Sequence, residues 1–146
     1  MTNSTLFTIG YAGKEITQFI NLLRQSSITT LVDVRQLPLS RKKDFSKTRL
    51  RNHLQEAGIE YKHIGVLGSP KTLRHKVRDD NDYEFFFREY TNYLKTQNAV
   101  LADLTQEIRQ KVSCLMCMEP EPTQCHRQII ARTIEKQNPQ LRVVHL

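Results

Sequence analysis

The sequence predicts an α/β fold: a single domain over residues 1–146, in which a mainly parallel sheet of about five strands carries helices on both faces. Two observations lead to this prediction. Five short runs have the β-branched, aromatic or apolar content of strands, and helical patterns with turn residues lie between them. Such alternation is typical of parallel strands joined by crossover helices, which cover the sheet on both sides.

The individual elements follow from local patterns. Strands are predicted over residues 5–9, 28–34, 59–64, 112–118 and 142–146. Helices are predicted to begin near Ile16, Ser46, Tyr83, Asn98 and Thr123, where apolar residues recur at the spacing of one helix face. The highly charged stretch 71–82 shows no such stripe, so we predict a mobile polar connector that covers a cleft.

Composition limits the classes of partner and location. The 22 Lys and Arg against 15 Asp and Glu give a net charge of +7, which favours an anionic ligand such as a nucleic acid or nucleotide. No run approaches the ~18 apolar residues of a membrane span, and the first residues lack a signal-peptide pattern. Three cysteines do not make a secreted disulfide framework, so we expect a cytoplasmic, reduced protein.

Residues 114–127 hold all three cysteines and the most unusual chemistry of the chain. Pro120 and Pro122 must end the strand before them, and Thr123 is a suitable helix N-cap. Cys125 and His126 are then predicted in the first helical turn, where free amides favour an anion and a thiol ionises more readily.

The cysteines are interpreted differently from one another. Cys114 and Cys117 lie in an apolar strand and are predicted to be small buried hydrophobic residues. For Cys125 a structural and a functional role are both open, and the adjacent His126 and Arg127 favour function. A metal site is less favoured, because the Cys-x7-Cys-His spacing matches no common zinc pattern.

Polar residues also follow the other predicted strands. Asp33 and Arg35 end the second strand, where a carboxylate needs a partner or a cleft, so they form either a structural salt bridge or part of a site. His63 ends the third strand and is either an acid–base group or a hydrogen-bonded structural one. The basic segment 35–51 is either a solvated face or a loop that binds phosphate.

Several short motifs occur together in this chain. They are Thr8-Ile9-Gly10-Tyr11, Asp33-Val34-Arg35 with Pro38 and Ser40, Tyr61 with His63, Leu67-Gly68, and Leu115-Met116-Cys117-Met118-Glu119 leading to Cys125-His126-Arg127. In this combination the chain resembles the domain of unknown function 488 family over nearly its whole length. It departs at Ser69, where many relatives carry a second glycine. The resemblance implies a compact α/β fold with one shared polar site, and no generally established activity.

The resembling motifs lie at the carboxyl ends of predicted strands, so we expect them to converge on one cleft. The expected catalytic candidates are Asp33, Glu119, Cys125 and His126. The expected substrate-binding residues are Tyr11, Arg35, Ser40, His63 and Arg127.

The first functional hypothesis is an enzyme acting on a phosphate-bearing substrate, either nucleic acid or nucleotide. One alternative is a non-catalytic nucleic-acid-binding module that uses the basic surface 41–51. Another is an enzyme with Cys125 as its nucleophile. The sequence indicates no particular cofactor.

Overall fold

The computed structural model describes residues 4–146. Its strands are β1 (Thr5–Gly10), β2 (Thr30–Asp33), β3 (Glu60–His63), β4 (Ser113–Cys117) and β5 (Arg142–His145). They form one sheet in the order β3-β2-β4-β1-β5, and every neighbouring pair is parallel. The predicted five-stranded parallel sheet is therefore confirmed, with each strand within two residues of its expected bounds.

The helices are α1 (Ile16–Gln25), α2 (Lys47–Glu56), α3 (Lys71–Asp80), α4 (Tyr83–Leu94), α5 (Asn98–Gln110) and α6 (Arg127–Gln137). Within residues 4–146, none of them combines the length and the apolar character needed to cross a membrane.

Two local predictions are wrong. The stretch predicted as an irregular connector forms α3, which buries none of its residues and so shows no apolar stripe, although its Lys and Arg residues are good helix formers. The last helix begins at Arg127 and not after Thr123. Residues Pro122–Gln124 form a separate 3₁₀ turn, and Cys125 is extended, so the backbone must turn again before α6 can start.

Helices cover both faces of the sheet, as predicted. Phe19 of α1 and Leu50 of α2 belong to one apolar cluster together with Met116 of β4. Leu115, the neighbour of Met116 in the strand, belongs to a second cluster with side chains of α4, α5 and α6. Consecutive side chains of a strand point to opposite faces, so the fully buried strand β4 anchors both layers.

The connections change direction around β4, the central strand. β1 and β2 lie on either side of it and are followed by α1 and α2 on one face, whereas β4 is followed by α6 on the other face. Parallel sheets leave a crevice at such a point, outside the carboxyl ends of the strands. The fold thus places a cleft where β1, β2 and β4 end.

Candidate anion-binding cleft

A cavity of about 840 Å³ opens at the carboxyl ends of β1, β2 and β4. Five of the predicted site residues line it, namely Tyr11, Arg35, Glu119, Cys125 and His126. The facing wall is formed by α3 and the start of α4. We call this cavity the cleft.

The walls of the cleft are strongly cationic. Its lining includes four arginines, Arg35, Arg41, Arg74 and Arg78. Among the described residues that line it, Glu119 is the only acid, and its carboxylate forms no ion pair within residues 4–146. The lining of the cleft therefore carries an excess of positive charge, which is the electrostatic property expected of an anion site.

Arg35 is held at the cleft by a buried carboxylate. Its Nε donates to Asp33 Oδ1 at 2.9 Å and its Nη2 donates to Asp33 Oδ2 at 2.7 Å. The Arg35 backbone N–H and the Tyr61 hydroxyl donate to the same carboxylate, at 3.1 and 2.6 Å. Asp33 is fully buried and both of its oxygens are engaged, so it orients Arg35 and does not reach the cavity.

The charge of Arg35 is secured by this arrangement. Burial alone opposes the charged form, but the hydrogen bonds and charge of Asp33 outweigh it, and together they raise the pKa of the guanidinium. The Tyr11 ring, whose centroid lies 5.3 Å from Arg35 Cζ, adds a cation–π contact. Tyr11 is itself fixed by stacking on Phe45 at 4.8 Å between ring centroids. The guanidinium is therefore charged and held in one orientation.

One donor of this guanidinium is left without a partner. Arg35 Nη1 is buried and makes no hydrogen bond within the described part of the chain, although Arg35 lines the cleft and is 7% exposed. Buried polar groups in folded proteins are nearly always hydrogen-bonded, because an unsatisfied one costs roughly 1–3 kcal/mol. An anionic oxygen in the cleft could accept this bond.

The structure joins Cys117 and Cys125 through their sulfur atoms as a disulfide, with 7.4 Å between the Cα atoms. Cys117 is buried, as predicted, but it is paired with Cys125 and is not an isolated side chain. The reason is position: Cys117 ends β4 at the cleft, and the extended Cys125 returns to the same edge before α6. Cys114 is free and fully buried, as expected.

His126 is oriented by a backbone carbonyl group in the loop that follows β2. Its Nε2 lies 2.7 Å from the Val34 carbonyl oxygen, so this nitrogen carries the proton and donates it. Burial lowers the pKa of His126 to about 4, and the charge of Arg127 acts in the same direction. His126 is therefore neutral at neutral pH, and its Nδ1 lies 3.8 Å from Cys125 Sγ.

Arg127 does not line the cleft but holds the loop that follows β4. It is fully buried, and its guanidinium donates to the Glu119 and Pro120 carbonyl oxygens. It also donates to Thr8 Oγ1 at 3.1 Å and lies 3.1 Å from Cys117 Sγ. Its contacts therefore tie the end of β4 to β1 and fix the position of Glu119.

Two other predicted binding residues also lie outside the cleft. Ser40 accepts a hydrogen bond from the Lys42 backbone N–H at 3.0 Å, and its own N–H donates to Ser46 Oγ at 2.9 Å, in a separate basic hollow. His63 lies with Nε2 2.8 Å from the Arg35 carbonyl oxygen. His63 therefore contacts the backbone that carries the Arg35 side chain, whereas Ser40 holds the loop between residues 40 and 46.

Sequence reasoning missed the residues of the facing wall. Arg74, His75 and Arg78 come from α3, and Tyr83 comes from the start of α4. The Lys and Arg residues of stretch 71–82, which follows the loop after β3, are the feature of the sequence that could have indicated this wall. A metal is not indicated, since no group of His, Cys, Asp and Glu side chains within residues 4–146 is placed to hold one.

Comparison with known proteins places the chain in a family. A search of curated proteins and a search of solved structures gave no significant match. A family model described as Domain of unknown function DUF488 matches residues 15–134, which include most of the cleft residues. The chain therefore belongs to the DUF488 family.

Proposed function

We propose that this protein is an enzyme that acts on a phosphate-bearing substrate, a nucleotide or nucleic acid, bound in the cleft. The observation that carries the proposal is the unsatisfied, buried Nη1 of Arg35. A phosphate oxygen is the natural acceptor, because guanidinium groups bind phosphate through charge-assisted hydrogen bonds.

The surroundings of Arg35 support an anion of this kind. Asp33 binds the Nε and Nη2 edge of the guanidinium, and Nη1 is the nitrogen left without a partner within residues 4–146. Arg74 and Arg78 on the facing wall supply further charge for additional phosphate oxygens. A cavity of about 840 Å³ also accommodates a ligand far larger than inorganic phosphate.

For the chemical step, Glu119 is the candidate that moves a proton. Of the described residues that line the cleft it is the one acid, and the Arg127 side chain holds its backbone in place. Asp33, a catalytic candidate from the sequence, is assigned a positioning role because Arg35 and Tyr61 occupy both of its oxygens. In an assay for phosphoester turnover, Glu119→Gln should retain binding and lose turnover.

The binding proposal is tested by calorimetric titration with nucleoside mono- and diphosphates. We expect Arg35→Lys to weaken binding by roughly 10- to 100-fold, because a hydrogen bond to a charged group contributes about 1.5–3 kcal/mol. Lysine keeps the charge beside Asp33, so the variant should fold, but its single nitrogen lacks the planar fork that binds the carboxylate through two atoms and presents a third to the ligand.

The matched control is Arg88→Lys, an exposed residue of α4 that does not line the cleft, and it should bind like the wild type. Unchanged affinity in a folded Arg35→Lys variant would contradict the proposal. So would the absence of any binding by the wild-type protein.

A second candidate is an enzyme that uses Cys125 as its nucleophile, in the reduced form of the Cys117–Cys125 pair. The neutral Nδ1 of His126 faces Cys125 Sγ and is free to take the thiol proton. The sulfur would then attack an electrophilic atom of the substrate, and the leaving group would take the proton from His126.

This candidate predicts that the alkylation of Cys125 depends on His126. In protein reduced beforehand, His126→Asn should slow the reaction of Cys125 with iodoacetamide several-fold, as followed by peptide mass spectrometry. Cys114 is an internal control, because burial raises its thiol pKa and keeps it unreactive. Equal alkylation rates in wild type and variant would remove the candidate.

A further inference from the structure

A second hollow of about 460 Å³ lies beside the cleft and is more basic than the cleft itself. It is formed by residues 39–49, and Leu39 and Arg41 line both cavities. We call it the basic hollow. The two cavities therefore adjoin at these two residues, and Arg35 lines only the cleft.

The charges of the basic hollow are available to a ligand. Lys43 and Lys47 are exposed and form no salt bridge within residues 4–146. Among the described residues that line the basic hollow, Asp44 is the only acid, and it is already engaged by His53 at 3.0 Å and Arg49 at 3.5 Å. The net charge presented outward is therefore strongly positive.

The loop that carries these lysines is rigidly held. Phe45 is fully buried, where it stacks on Tyr11 and meets Phe19 edge-on at 5.2 Å. The Lys47 backbone N–H donates to the Pro38 carbonyl oxygen at 2.8 Å, which closes the base of the loop. Tyr11 also supports Arg35, so one aromatic cluster fixes both the inner anion site and the outer basic surface.

Apolar side chains are exposed along the same path. Leu37, Leu39 and Met118 line the cleft while 57%, 70% and 50% exposed. Tyr83 adds a half-buried aromatic ring to the facing wall. A ligand that alternates charged and flat apolar groups would cover both the cations and these side chains, and a nucleic-acid strand has this composition.

We propose that the substrate of the cleft is single-stranded nucleic acid, with one phosphate on Arg35 Nη1 and the adjoining phosphates in the basic hollow. This rests on the proposed function and specifies its substrate class. Arg35 is buried at the cleft. A duplex is stiff over about 150 base pairs, so its backbone cannot bend far enough to place one of its phosphates there. A single strand can bend and insert one phosphate.

The test is fluorescence anisotropy with a labelled single-stranded oligonucleotide about 12 nucleotides long. Its duplex and a mononucleotide serve as competitors. The double variant Lys43→Ala, Lys47→Ala is compared with Lys95→Ala, Lys136→Ala, a matched pair of exposed lysines that line neither cavity. All four lysines are exposed, so both variants should keep the thermal stability of the wild type.

We expect the strand to bind about tenfold or more tightly than the mononucleotide, and only the Lys43, Lys47 variant to weaken it. Each phosphate contact on a single strand adds about 0.7 to the slope of log affinity against log salt, so that variant should lose about 1.4. Its affinity for the mononucleotide should not change.

Equal affinity for strand and mononucleotide, with no effect of the Lys43, Lys47 variant, would overturn this inference and leave the proposed function standing. Duplex binding as tight as that of the single strand would also overturn it. If none of the three probes binds, the inference and the proposed function both fail.

Discussion

Asp33→Ala is expected to lower the free energy of unfolding by roughly 3–5 kcal/mol, because removal of one partner leaves the other charge buried and unpaired. Arg35 is 7% exposed and Asp33 fully buried, so water cannot replace the lost carboxylate. Four donors would lose their acceptor at once, namely Nε, Nη2 and the backbone N–H of Arg35 and the Tyr61 hydroxyl. Denaturant unfolding of the purified variant measures the effect.

The matched control for this change is Asp80→Ala, which removes the carboxylate of the exposed ion pair between Lys76 and Asp80 on α3. Exposed pairs contribute little because solvent and salt screen them, so its unfolding midpoint should barely move. If Asp33→Ala lowered the free energy of unfolding as little as Asp80→Ala, Asp33 would not be the group that holds Arg35 rigidly.

Gly10→Ala is expected to cost about 3 kcal/mol, at the upper end of what overpacking a core costs, and to abolish ligand binding in the cleft. A Cβ atom on Gly10 would lie 1.8 Å from the Glu119 carbonyl oxygen and 2.7 Å from the Pro120 Cα. Both atoms are backbone, so the loop after β4 must move. That displacement carries Glu119 away from the position in which Arg127 holds it.

Gly13→Ala separates this steric effect from glycine conformation. Gly13 has φ +81° and open space around its Cβ position, so alanine there costs about 1–2 kcal/mol of backbone strain without moving the cleft. Its ligand affinity should equal that of the wild type in the same titration. Retained ligand binding by Gly10→Ala would show that the position of the loop after β4 does not matter.

The sheet could be predicted because each strand has the β-branched, aromatic or apolar residues that are typical of strands. β4 is buried along its whole length and is apolar after Ser113, and Pro120 and Pro122 mark where it must end. α3 could not be predicted in the same way, since none of its residues is buried and its sequence lacks an apolar stripe. The start of α6 was misplaced because Thr123 has N-cap character but lies in a 3₁₀ turn.

The convergence of strand ends could be predicted from parallel topology, and five of the nine predicted site residues line the cleft. The sequence could not show which charged groups line the cleft and which ones hold other parts of the protein in place. Asp33 and Arg127 carry the charges typical of a site. Both are fully buried, however, and form their hydrogen bonds with other groups of the protein. Only the three-dimensional contacts show that Arg35 Nη1 is a buried donor without a partner within residues 4–146.

The most direct measurement is a crystal structure of the protein with a bound nucleoside diphosphate or short oligonucleotide. We expect a phosphate oxygen within hydrogen-bonding distance of Arg35 Nη1, with the Asp33 contacts to Nε and Nη2 unchanged. A phosphate bound elsewhere, with Arg35 Nη1 not contacting the ligand, would contradict the central claim.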